Sequence, residues 1–393
     1  MIDLIDFNSF RVDPLVFYGG HAGQKKCILD ESGDRWMLKF PESTARLNGN
    51  IASYSTSPVS EWLGSHIYAS LGMPVHETVL GFFNEKVVCA CKDFTYPGKT
   101  LLMFDNLKGS LSDQLPNFSD RPSDGRSLKL SDILAAIDSI DVPISKDVML
   151  ERFWDMFVVD AFIGNADRNN ENWGLLVDES RNVSLAPVYD NGNAFFNKRR
   201  GSKFEERLHG ESTIAEDASL SQSCFCRDDG HRISPLKYIA SGMNENCNAA
   251  LLRFIDRVDM AAVAALIDSL PEEVLSFAVM PSHVKEFHKR VLETRLEKYF
   301  AATAEMLLGK GRSNLSRSRD AASLAPLPCE NALHQPISGE APSPGNRESP
   351  TPSCDVKRAT SASREHAPAG VRRRSPLSPP QGTGGAVAPK RPL

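Results

Sequence analysis

Residues Phe153–Ile163 are apolar at every position except Asp155 and Asp160. A run that is hydrophobic all round predicts a helix buried on every side. It gives way at Gly164 to the polar stretch Asn165–Asn172, where glycine and several asparagines tolerate unusual backbone angles. The alternation then changes: Gly174–Val177 and Val183–Val188 are expected to be short strands flanking a turn at Asp178–Asn182. Upstream, Arg35–Pro41 is expected as a strand carrying a lysine. Val79–Phe83 and Lys86–Cys91 are expected as two more strands about Asn84 and Glu85, which places Cys89 and Cys91 on one face. A helix is expected from Ser60 to about Leu71, with Pro58 ahead of it and Gly72 and Pro74 ending it. Near the end of the patterned region, Val284, Phe287, Val291, Leu292, Leu296 and Tyr299 recur at helical spacing and predict one apolar helix face.

The pattern stops near residue 310. Residues 311–393 hold 13 of the 25 prolines and carry a net charge of +6, against −11 for residues 1–310. With few large apolar residues, such a segment cannot bury enough surface to offset its ordering entropy, so a disordered tail is expected. The acidic body argues against direct nucleic-acid binding. No run of about 18 apolar residues predicts a membrane span. The amino-terminal residues lack a basic stretch followed by an apolar one, and the eight scattered cysteines suit a reducing compartment, so a cytoplasmic location is expected; secretion by a non-Sec route stays open.

Candidate chemistry concentrates in the polar stretch. Asp167 and Asn172 stand five positions apart, the Asp-x4-Asn spacing of a protein-kinase catalytic loop, and Asp190 follows the expected hairpin. An aspartate that orients a hydroxyl, with an asparagine and a second aspartate that hold a metal ion, are the groups phosphoryl transfer requires. Gly19, Gly20 and Gly23 lie between two apolar runs, where glycines let backbone N–H groups approach phosphate oxygens. Lys39 is placed to contact phosphate from a strand, and Glu61 to pair with it from the following helix. Lys92–Phe94 is the expected hinge, whose backbone groups are available to adenine. The elements occur in kinase order.

The stretches Tyr18–Gly23, Leu38–Pro41, Ser60–Tyr68, Ala90–Phe94, Gly164–Arg168 with Asn172, and Ala186–Asp190 resemble the HipA-like serine/threonine kinases, in particular their short CtkA-like branch. The resemblance spans most of residues 15–300. It implies an α+β, two-lobed protein-kinase-like fold: a β-rich N-lobe (residues 1–92), a mainly helical C-lobe (93–310) and the disordered tail (311–393). It further implies ATP and Mg²⁺ as cofactors and serine or threonine of a protein substrate as acceptor. Carried over, Asp167 is the catalytic aspartate, assisted by Lys39 and Glu61. Gly19, Gly20, Gly23, Lys39, Lys92 and Phe94 form the nucleotide site, and Asn172 and Asp190 are metal ligands.

Three departures qualify the comparison. Asn169 stands where the family has a loop-ordering histidine, an expectation of reduced activity. Residues 18–26 contain no serine or threonine to carry the family's autophosphorylation, and the chain begins almost at the N-lobe, without the subdomain through which longer members contact an antitoxin. The competing readings are a pseudokinase or antitoxin-bound binding module and, because Asp167-Arg168 resembles a phosphoinositide-kinase loop, a lipid or small-molecule kinase.

Overall fold

The computed structural model describes residues 1–19, 24–45, 52–111 and 128–309. The chain divides into two units, Met1–Pro326 and Leu327–Leu393. The second unit, the expected disordered tail (311–393), and Gly20 and Gly23 lie outside the described residues.

The amino-terminal part is a six-stranded sheet in the order β1-β5-β6-β4-β3-β2. Its strands are β1 (Ile5–Asp6), β2 (Arg11–Asp13), β3 (Lys25–Leu29), β4 (Arg35–Lys39), β5 (Thr78–Phe83) and β6 (Lys86–Lys92). β1 pairs with β5 in parallel, and the other neighbours are antiparallel. The turn between β5 and β6 is Asn84-Glu85, both at positive φ, the pair of angles a two-residue hairpin of matching twist demands.

Period-two alternation divides the sheet's residues between two faces. Ile28, Leu38, Val88 and Ala90 join Phe7, Phe40 and Phe83 in one small core. Leu80, Cys89 and Cys91 face the opposite way into the main core, beside α1 (Ser57–Ser70). That helix begins three residues earlier than expected, with Pro58 inside its first turn. Proline is tolerated there because the N–H it lacks has no intrahelical partner in any case.

The rest is mainly helical. β7 (Thr100–Met103) and α2 (Phe104–Gly109) lead to α3 (Leu130–Ser139) and α4 (Lys146–Ile163). α4 contains the expected apolar run and buries all but one residue of Phe153–Ile163. It ends at Gly164 with φ +74, a left-handed cap that favours glycine; a Cβ there would lie 3.0 Å from the Arg295 guanidinium. β8 (Gly174–Val177) and β9 (Val183–Leu185) form the expected hairpin, joined by β7 into a three-stranded sheet. β9 is shorter than expected because the chain leaves the sheet after Ala186, whose N–H still donates to Gly174 O. Val188 instead exchanges hydrogen bonds with Pro74 and His76.

Then follow α5 (Gly201–Leu208), α6 (Glu211–Ser219), α7 (Pro235–Ser241), α8 (Glu245–Arg257), α9 (Met260–Ser269), the hairpin β10 (Glu273–Val274) and β11 (Phe277–Ala278), and α10 (Ser282–Arg295). A π-helical turn, Leu296–Ala301, continues α10. This wider turn re-phases the expected apolar face. Val284, Phe287, Val291 and Leu292 are buried as expected, but Arg295 and Phe300 are buried beyond them, with Leu296 and Tyr299 at the edge. Among the described residues no helix is long and apolar enough to cross a membrane.

Candidate active site

In the β3–β4 ladder Lys25 lies directly opposite Lys39, on the face turned toward α1 and the helical part. The Lys39 ammonium reaches Glu61 Oε2 at 2.9 Å and Asp190 Oδ1 at 2.8 Å, so one nitrogen joins β4, α1 and the segment after β9. Glu61 is fully buried, and its Oε1 lies 2.9 Å from His76 Nε2. Both contacts are at ion-pair distance but away from hydrogen-bond angles. Burial alone would raise the Glu61 pKa, yet Lys39 and His76 outweigh it and hold the carboxyl far below the usual range. Burial would likewise lower Lys39, but Asp190 and Glu61 outweigh it and keep the ammonium charged. His76 is fixed in turn: its Nε2 lies 3.2 Å from Ser65 Oγ, which accepts from Asn191 Nδ2 at 3.0 Å.

The segment after α4 is built around Arg168, which is 2% exposed. Its Nε donates to Asp160 Oδ2 at 2.9 Å, Nη1 to the carbonyls of Asn172 (3.0 Å) and Tyr189, and Nη2 to Asn191 Oδ1 at 2.5 Å. Asp160 Oδ1 also accepts from Tyr68 Oη at 2.8 Å and Asn165 Nδ2 at 3.0 Å. A buried guanidinium spread over this many acceptors sets the relative positions of the two acidic segments. Asn172 Nδ2 donates to the Asp167 carbonyl at 2.7 Å, which leaves its amide oxygen as the free acceptor. The Asp167 carboxyl opens to solvent and accepts from Asn169 Nδ2 at 3.0 Å. Partial burial pushes its pKa upward and Asp190 adds to the push, while Asn169 opposes it; at an exposed group this effect is modest.

These groups border two adjoining cavities. The larger, about 480 Å³, has Met37, Leu101, Met103, Phe94 and Tyr189 as apolar walls and Lys25, Lys39, Asn172 and Asp190 at its polar end. The smaller, about 100 Å³, shares Lys25, Lys39 and Asp190 with it and adds Asp167 and Lys198. An apolar chamber ending in paired cations and carboxylates is of the size and make-up that take a small polar-tailed molecule.

The expected site residues are thus largely gathered in one cleft: Lys39, Glu61 and Asp190 in direct contact, Asn172 and Phe94 on the larger cavity, Asp167 on the smaller. Gly19 lines the larger cavity and its carbonyl accepts from the Lys25 ammonium at 2.5 Å. Lys92 borders it too, with its ammonium on Asp34 at 2.8 Å. The N–H groups of Lys92 and Asp93 are spent on Glu77 O and Arg35 O, which narrows what the hinge backbone can offer. Sequence reasoning missed Lys25, His76, Asn191 and the Asp160–Arg168 pair. Lys25 had a signal, since it opens the strand that follows the glycines. The others are visible only as tertiary partners.

Comparison with known proteins follows the same lines. The model of the HipA-like C-terminal domain matches residues 18–258. The serine/threonine-protein kinase CtkA of Helicobacter pylori strain J99 is 31% identical over 295 residues, covering 75% of this chain and 84% of its own. The crystal structure of a Helicobacter pylori proinflammatory kinase CtkA superposes with a TM-score of 0.68 at 30% identity, over 77% of this chain and 98% of that one. HipA of Shewanella oneidensis MR-1, solved with HipB and operator DNA, matches with a TM-score of 0.38 at 14% identity, over 75% and 70% of the two chains.

Proposed function

The chain belongs to the HipA-like C-terminal domain family, and we propose that it is a protein serine/threonine kinase using ATP and Mg²⁺. The observation that carries the reading is the Lys39 ammonium held between Glu61 and Asp190 at the junction of the two cavities. The donor sets fit the groups implied. Asp190 and the free amide oxygen of Asn172 are hard oxygen ligands of the kind Mg²⁺ takes, and the apolar chamber suits a purine. Mg²⁺ when bound neutralises charge on phosphate oxygens.

The chain's own residues supply the rest. Glu61, ionised and anchored by His76, keeps Lys39 oriented toward the cleft, where its ammonium contacts phosphate. Gly19, with Gly20 and Gly23, contributes backbone to the phosphate loop, and Phe94 with Lys92 borders the base. Asp167 accepts or orients the proton of the acceptor hydroxyl, which enters through the smaller cavity. Arg168 holds Asp167's segment against Asp190's, so that acceptor and metal ligands keep their spacing. The change from sheet to helices supports an N-lobe of residues 1–92 and a C-lobe of residues 93–310. The protein substrate is an exposed serine or threonine segment, and an antitoxin-like partner is compatible with the family.

The test is transfer of radiolabelled phosphate from ATP with Mg²⁺, comparing wild type with Asp167→Asn. Transfer by the wild type alone supports the reading; none by the wild type on any protein acceptor or on itself overturns it. One observation favours the pseudokinase reading, the hydrogen bond from Asn169 that occupies an Asp167 oxygen. Nucleotide binding without transfer would select it.

A further inference from the structure

Behind the Lys39–Glu61 pair stand His76, Cys89 and Cys91, three groups to which the kinase reading gives no catalytic role. Cys89 and Cys91 lie two apart on β6, so both thiols point to the α1 side, and Cys89 is the cross-strand partner of Lys39. Their sulfurs are 3.9 Å apart. One ligand atom from each of Glu61, His76 and Cys91 lies within 4.8 Å of the other two. All three residues are buried, at 0%, 4% and 1% exposure. They are nonetheless reachable, because His76 and Cys91 also line the 480 Å³ cavity.

We propose that Glu61, His76 and Cys91 form a Zn²⁺ site whose occupation switches the kinase off. Carboxylate, imidazole and thiolate are the ligands of a borderline-soft cation, whereas Mg²⁺ takes oxygen donors. The cleft therefore sorts metals by ligand: hard cations at Asn172 and Asp190, Zn²⁺ at the back wall. Zn²⁺ entry releases to solvent the Cys91 thiol proton and the proton held between His76 and Glu61, and draws the Glu61 carboxylate onto the metal. Lys39 then loses the partner that orients it and falls back on Asp190. The binding stands by itself; the inhibition rests on the kinase reading.

The experiment uses the full chain, stripped of metal and titrated with Zn²⁺ and, as a spectroscopic stand-in, Co²⁺, both in excess Mg²⁺. The expected result is about one equivalent of tightly held metal and a sulfur-to-cobalt charge-transfer band. Cys91→Ser loses the band, and His76→Gln weakens binding. Bound Zn²⁺ also protects Cys91 of the wild type from alkylation, a reading that needs no variant. Phosphotransfer by the wild type falls about tenfold or more with one equivalent of Zn²⁺, as expected if the oriented lysine is lost, and recovers with a zinc-selective chelator. A missing band, a band that survives Cys91→Ser, or alkylation unchanged by Zn²⁺ overturns the site. Full activity with Zn²⁺ bound overturns the switch. A wild type that shows the band but no phosphotransfer under any metal condition refutes the kinase reading and leaves the site standing.

Discussion

Asn169 donates its side-chain amide to Oδ1 of Asp167 at 3.0 Å. The carboxylate proposed to receive a hydroxyl proton therefore has one oxygen already engaged, by a neutral residue at the position where the resemblance leads one to expect histidine. Asn169→His is expected to raise kcat by about three- to tenfold with little change in KM for ATP, the scale of a modest improvement in proton transfer. Steady-state kinetics on both proteins decide it; an unchanged or lower kcat would show that Asn169 already orders the loop fully.

Asp167→Asn removes the proposed proton acceptor and keeps the shape. Its kcat is expected to fall about a hundred- to ten-thousand-fold, while calorimetry still finds Mg²⁺-ATP bound within a few-fold of wild type. Retained metal-dependent turnover would remove Asp167 from the reaction.

Asp190 and Asn172 differ in charge, and their variants should differ accordingly. Asp190→Asn removes the charged group proposed to hold Mg²⁺ and one partner of Lys39, so Mg²⁺-ATP affinity is expected to drop by about ten- to a hundredfold, the worth of a charge-assisted contact. Asn172→Ala is expected to lose less, and excess Mg²⁺ to restore part of it. Equal losses with no response to Mg²⁺ would contradict a metal role for either residue.

His288 is 3% exposed, packed against Phe195, Phe204 and Phe287. Burial first, then repulsion from Arg199 and Arg295, takes its pKa from the ordinary 6.5 down to about 3. The unfolded chain thus binds a proton that the folded one refuses. The stability from a neutral His288 is complete above pH 6.5 and is lost as pH falls toward 3, at up to about 1.4 kcal/mol per pH unit. His288→Leu should flatten the fall of Tm across that window, and an identical slope in both proteins would refute the assignment.

Gly164→Ala is a test of the junction between α4 and the segment that carries Asp167. A Cβ at φ +74 costs roughly 1–2 kcal/mol on conformational grounds, and here it would also press on Arg295, whose Nη1 donates to Phe162 O at 2.7 Å. A lower Tm with an unaltered KM is the expected outcome.

Much of this site is legible in the chain because its elements are local. The α4 run, the glycine after it, the β8–β9 hairpin and the lysine on β4 each leave a pattern within a dozen residues. What is not legible depends on distance. The parallel pairing of β1 with β5 joins residues more than seventy positions apart, and no periodicity encodes it. His76 lies between a helix stop and a strand, where its sequence surroundings are ordinary; only the fold sets it against Glu61. Arg168 resembles part of another kinase loop in sequence, but its burial and its bonds to Asp160, Tyr189 and Asn191 make it a brace. The re-phasing of α10 escapes notice because a one-residue widening of a turn leaves the composition unchanged.

That brace restricts how the enzyme can be turned off. Tyr189 and Asn191, the immediate neighbours of Asp190, are both tied to the Arg168 guanidinium. A segment pinned on either side of its acidic residue cannot swing that residue out of the cleft without uncovering a buried cation. Compounds whose affinity comes from filling the space vacated by a displaced Asp190 should therefore find no foothold here. Ligands that occupy the Met37–Met103 chamber, or that part Lys39 from Glu61, have a surface to work with, which gives a medicinal chemist a criterion for choosing scaffolds before any screen is run.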